Sequence, residues 1–156
     1  MIYIVTLKAI DLAIVTQIVN ALKDTTYKDV KFASTDILEE ITRPSFYIDF
    51  SNNKTNLMLA NARERNLKLR LFYFCENIKN SKIELMEIQD LLSDIFISCL
   101  KIDEENYAHI HECDFDINKK DGYLTLNTEL YILEQLEEEG TELLEELNIK
   151  VENKIV

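Results

Sequence analysis

The sequence predicts an α+β domain in which two helices pack on an antiparallel sheet of four to five strands. The order is α-β-β-β-α-β-β, followed by an acidic C-terminal tail. Three observations carry this. Ile10, Ile14, Ile18 and Leu22 recur at helical spacing. Several segments alternate apolar and polar residues with the period of a strand. Finally, two alternating segments flank Lys119-Lys120-Asp121-Gly122, a loop suited to a β-hairpin.

The first helix is placed near Thr6–Lys23, where Val15 and Val19 widen the apolar stripe. So apolar a helix belongs against a sheet. A turn region, Asp24–Asp29, leads to a short edge strand over Val30–Ser34. Pro44 is the only proline of the 156 residues. It can open a strand but cannot sit inside a sheet, so Arg43-Pro44-Ser45-Phe46-Tyr47-Ile48-Asp49-Phe50 reads as a strand launched by proline. Phe46, Ile48 and Phe50 then share one face. Ser51-Asn52-Asn53-Lys54 reads as a polar loop. One long extended segment follows from about Asn56 to Cys75, with Leu67, Leu69, Leu71 and Tyr73 on one face.

The second helix starts at Ser81, with Glu84 at capping-box spacing, and runs to about Leu100. In the hairpin Tyr107–Ile117 and Tyr123–Leu133, opposing Asn118 to Tyr123 places Ile117 against Leu124, Phe115 against Leu126, Cys113 against Thr128 and His111 against Leu130. The other face then opposes Asp114 to Asn127 and Glu112 to Glu129. Two glutamates across a ladder repel, so this face calls for solvent or external cations.

Residues 1–135 are expected to form a single domain, and residues 136–156 an acidic helix or arm interrupted at Gly140. A partner-binding tail and a solvated fringe both fit that glutamate-rich segment.

Net charge is −12. Nucleic-acid binding needs a basic footprint that the whole chain lacks. With Gly122 and Gly140 the only glycines, no phosphate-cradling loop can be built. No apolar run approaches a membrane span, and Asp11 interrupts the apolar N-terminal stretch, so a secretory leader is not expected. Cys75, Cys99 and Cys113 form no disulfide framework and suit a reducing cytoplasm, with Cys99 placed late in the second helix. His109-x-His111 with Cys113 resembles strand-borne zinc ligation, but the register places these beside Leu130 and Ile132 without a further ligand, so core or interface histidines are expected. No nucleophile sits on a sharp turn or helix start. No catalytic residue, cofactor or metal is assigned, and no enzymatic activity is expected.

One charge feature stands out. Lys54, Arg63, Arg65, Lys68 and Arg70 face Glu64 alone across this region of a very acidic chain. It reads either as a solvated strand face or as a patch meeting an acidic neighbour. Under the second reading Arg63, Arg65, Lys68, Arg70, Glu112 and Glu129 are the candidate interface residues.

In order, the Arg43–Phe50 strand, the basic segment ending Leu69-Arg70-Leu71-Phe72-Tyr73-Phe74, and the hairpin with Asp121-Gly122-Tyr123-Leu124 resemble the phage tail terminator (tail completion) family of tailed phages and related prophage-derived contractile particles. The resemblance covers roughly residues 8–135. It implies a structural subunit of a homo-oligomeric ring, usually of six copies, seated on the last ring of the tail tube. Such a ring stops tube growth and docks the neck, collar or sheath. The implied partners are further copies of the chain, the tail tube protein, and sheath, neck or connector proteins. The expectation includes no membrane partner and no specific nucleic-acid binding, and an acidic lumen would let DNA pass through such a ring without adhering. The implied location is the host cytoplasm during assembly and then the phage tail or tail-like particle. The competing expectation is a monomeric acidic adaptor or inhibitor that binds a basic partner through its C-terminal tail.

Overall fold

The computed structural model describes residues 5–33, 40–97 and 99–135. The acidic tail expected over residues 136–156 lies outside the described residues. Among the described residues six strands and two α-helices make an α+β fold, with strand order β1-β2-β3-β6-β5-β4 in one sheet.

Helix α1 covers Leu7–Leu22. Thr6 is its N-cap, and the Thr6 Oγ1 accepts from the Ala9 N–H at 3.1 Å. Ile10, Ile14, Ile18 and Leu22 are all buried, as their spacing requires. Strand β1 is short, Lys31–Phe32, and pairs parallel to β2 (Ser45–Met58). The sheet is therefore mixed and six-stranded, not antiparallel with four to five strands. About a dozen residues separate β1 from β2, enough for a crossover that a tight hairpin cannot make.

The polar stretch Ser51–Lys54 is not a loop. Strand β2 runs through it and absorbs the extra residues as an irregularity in register between Ser51 and Lys54. Asn52 takes a left-handed φ of 48° there, a conformation asparagine tolerates better than most residues. The expected single extended segment from Asn56 to Cys75 is also divided. Asn56–Met58 closes β2, the chain turns through residues 59–61, and β3 covers Ala62–Phe74. Met58 pairs with Ala62 across that turn.

Helix α2 covers Ser81–Ile95. It stops short of Leu100 because Phe96 leaves helical geometry while its N–H still caps the Leu92 carbonyl. Cys99 therefore lies in a further strand, β4 (Cys99–Lys101), not late in a helix. The capping box does not form either. Asn80 is the N-cap and makes no side-chain cap bond. Glu84 is engaged elsewhere, accepting from the Tyr73 hydroxyl at 2.6 Å and the Glu76 N–H at 3.1 Å. This ties the start of α2 to the end of β3.

Strands β5 (Tyr107–Asn118) and β6 (Tyr123–Gln135) form the expected hairpin. Asn118 opposes Tyr123, Ile117 opposes Leu124, Phe115 opposes Leu126 and Cys113 opposes Thr128. The register then shifts between Ile110 and Cys113, so Leu130 meets Ile110 and not His111. The Thr128 Oγ1 donates to the Glu112 carbonyl at 2.5 Å, satisfying a group that the bulge takes out of the ladder.

Both helices lie on one face of the sheet. The core joins Ile10, Ile14 and Ile18 of α1 with Leu85, Ile88 and Leu92 of α2. Against them pack Phe46, Leu67, Leu69, Leu71, Tyr73, Leu124 and Leu126. The opposite sheet face carries no helix among the described residues.

Candidate assembly surface

Strand alternation sorts the six expected interface residues onto different faces. Arg63 and Arg65 lie in phase with Leu67, Leu69 and Leu71, so they sit on the helix-covered side. Arg63 is 8% exposed and Glu134 1% exposed. Arg63 donates to the Glu134 carboxylate through Nε at 3.0 Å and also through Nη2, forming a buried ion pair. Its Nη2 also reaches the Val5 carbonyl at 2.8 Å. Arg65 donates to that same carbonyl at 3.0 Å, and the Val5 N–H donates to Glu134 Oε1 at 2.9 Å. These two arginines hold the chain ahead of α1 against the long end of the sheet.

Lys68 and Arg70 are the other half of the basic segment. Both are exposed on the open face. Register places Asp49 and Asn127 on either side of Arg70, and Ser51 and Glu129 on either side of Lys68. The Arg70 Nε donates to Asn127 Oδ1 at 3.1 Å. Among the described residues neither cation closes an ion pair. Glu112 and Glu129 are exposed and, because of the β5 bulge, do not sit directly opposite one another. Lys68, Arg70, His111, Glu112, Asp114 and Glu129 instead line a shallow groove of about 280 Å³ across β3, β6 and β5. The structure thus brings together four of the six residues and removes Arg63 and Arg65 to an internal role.

The bulge also changes the histidines. His109 faces Tyr131 on the open side, and both His109 and His111 are exposed, so neither belongs to the core beside Leu130. Among the described residues no group of three or more His, Cys, Asp and Glu side chains is placed to hold a metal ion. Cys113 stays on the core side, where its thiol donates to the Phe96 carbonyl at 3.3 Å and burial pushes its pKa up. Burial likewise raises the pKa of the Cys75 thiol. Raised thiol pKa values mean less thiolate, and so less nucleophile.

The open face changes character toward the β5–β6 turn. Tyr47, Phe72, Phe74 and Tyr123 form an aromatic cluster with ring centroids 6.0–6.4 Å apart. The Arg43 guanidinium lies 5.6 Å from the Phe74 ring centroid. It also donates to the carbonyls of Cys75 at 3.1 Å, Gly122 at 3.0 Å and Asp121 at 2.8 Å. One side chain thus fixes β3, the hairpin turn and the start of β2 together. Sequence reasoning noted Arg43 as a motif residue and missed this function. The available signal was an arginine directly before the proline that opens the strand.

What this arrangement offers is a flat, mixed-charge and aromatic sheet face suited to a protein surface. Its groove is shallow. Residues 13–142 match a family model described as "Phage tail terminator protein". The chain belongs to the phage tail terminator family. This is a structural family, with a role in tail completion and a place in the phage tail. A search of curated proteins found no match. In this terminator, the family match spans every strand and both helices apart from the first turns of α1.

Proposed function

We propose that this terminator is the subunit of a homo-oligomeric ring, of six copies, that caps the tail tube, stops its growth and docks the neck, collar or sheath. Family membership carries the reading. The open face supports it with Lys68, Arg70, Glu112 and Glu129, charges that no ion pair among the described residues neutralises. Such a face suits a protein partner, either the tube end or the adjoining copy. A ring contact is heterologous, so one subunit must carry two complementary patches. The net charge of −12 leaves a lumen that lets DNA pass without adhering. Assembly takes place in the host cytoplasm before the ring joins the tail.

Mass photometry with the purified chain and its tail tube protein tests the reading. A ring of six 18.3 kDa subunits has a mass of about 110 kDa. Tube sedimentation should also carry the chain down, and K68E/R70E should weaken that association. A chain that stays at 18.3 kDa and never sediments with tube contradicts the proposal.

A further inference from the structure

Two tight turns stand at opposite ends of β5, and they carry opposite charge. The first, after β5, is Lys119-Lys120-Asp121-Gly122. Both lysines are exposed and neither closes an ion pair among the described residues. The turn is held from below. The Asp121 N–H donates to Asn118 Oδ1 at 3.0 Å, the Asn118 amide donates to Asp121 Oδ2 at 3.1 Å, and the Gly122 N–H donates to the Asn118 carbonyl at 2.9 Å. Arg43 binds the carbonyls of Asp121 and Gly122. Gly122 sits at φ +68°, and Ile78 packs against it, which brings exposed Lys79 to the same end. The acid within the turn itself, Asp121, is already bonded to Asn118.

The second turn, before β5, is Asp103-Glu104-Glu105-Asn106. Asp103 Oδ1 accepts from the N–H groups of Glu105 at 2.9 Å and Asn106 at 2.8 Å, and the Asn106 amide bonds both Asp103 oxygens at 2.9 Å. Glu104 and Glu105 therefore project from a fixed backbone. Glu104 is 94% exposed in its side chain and meets only a long, exposed contact with Lys101 at 3.6 Å. The twelve residues of β5 separate the two turns by about 40 Å, at about 3.4 Å per strand residue.

We propose that the Lys119–Lys120 turn of one copy docks on the Glu104–Glu105 turn of the next, forming the heterologous contact that closes the ring. The inference rests on the ring reading above and gives it a specific joint. A rigid dilysine turn in a chain of net charge −12 is complementary to the chain's own acidic turn, and both turns are held in place before docking. Because the two patches differ and lie at opposite ends, the contact propagates head to tail, and a rotation of one sixth of a turn per copy closes it as the six-membered ring. The open sheet face is then left for the tube.

Charge exchange tests it. K119E/K120E and E104K/E105K are made in the full chain, and circular dichroism and thermal melting confirm that each folds. Mass photometry should show each variant dispersed, since one presents acid to acid and the other base to base. An equimolar mixture should recover rings with alternating copies. Raising salt should disperse the wild-type ring. A K119E/K120E variant that forms rings alone, or a mixture of two folded variants that stays dispersed, overturns this joint while wild-type rings uphold the ring. A wild-type chain that never leaves the monomer overturns both.

Discussion

Arg63 and Glu134 are the residues whose loss the fold should feel most. Removing one partner of a buried ion pair strands the other in a medium that solvates it poorly. Arg63→Ala should therefore cost about 3–5 kcal/mol in urea unfolding, whereas R63M/E134L, which removes both charges, should cost far less. The tyrosines behind α2 make a second prediction. Tyr27 is pushed up to about 12 from 10.0 by burial first and by its hydrogen bond to Glu87 second. Tyr73, fully buried, is raised further by burial and by its bond to Glu84. Both phenols keep their protons in the folded chain at pH values where the unfolded chain loses them. Their contribution is thus fully present below about pH 10 and falls as pH rises through the folded values. Urea midpoints measured between pH 8 and 11 should drop above pH 10, and Y27F/Y73F should flatten that drop.

At the scale of elements, the β2–β3 turn carries an unfavourable local choice. Leu59 sits at φ 58° and is 85% exposed, where glycine or asparagine would be cheaper. Leu59→Gly should raise stability by about 1 kcal/mol in thermal melts. That turn also explains why the sequence reading puts the β2–β3 boundary at the polar stretch Ser51–Lys54 and not at residues 59–61. Leu59-Ala60-Asn61 holds neither glycine nor proline, so the strand pattern runs on through it. The β4 strand was hidden for a similar reason, since Ile95, Phe96 and Leu100 continue a helical stripe and only the backbone at Phe96 ends it. The α1 stripe and the lower hairpin were legible because each buried position there has one available face. Above Cys113 the register is set by a bulge, and no side-chain alternation records an extra residue before the strands are paired. The same limit applied to the candidate site. Basic residues two apart in sequence share a face, so Lys68 and Arg70 were correctly grouped. Arg63 and Arg65 are grouped with them by charge alone, although their phase with Leu67 puts them on the helix side, and their engagement depends on Glu134 and Val5, which lie far away in sequence.

Across the described residues the helices close one sheet face and leave the other open. The open face divides into an aromatic end near Arg43 and a charged groove around Lys68 and Arg70, while the two β5 turns carry opposite charge at either end. Arg43 ties the aromatic end to the β5–β6 turn. Arg43→Lys keeps the charge but cannot span three carbonyls, so it should lower the melting temperature and loosen ring assembly together. The most direct test of the account is electron microscopy of tail tube protein polymerised with and without the wild-type chain. The account predicts rings seated on tube ends and shorter tubes as the chain is added. Bare ends and an unchanged length distribution would contradict it.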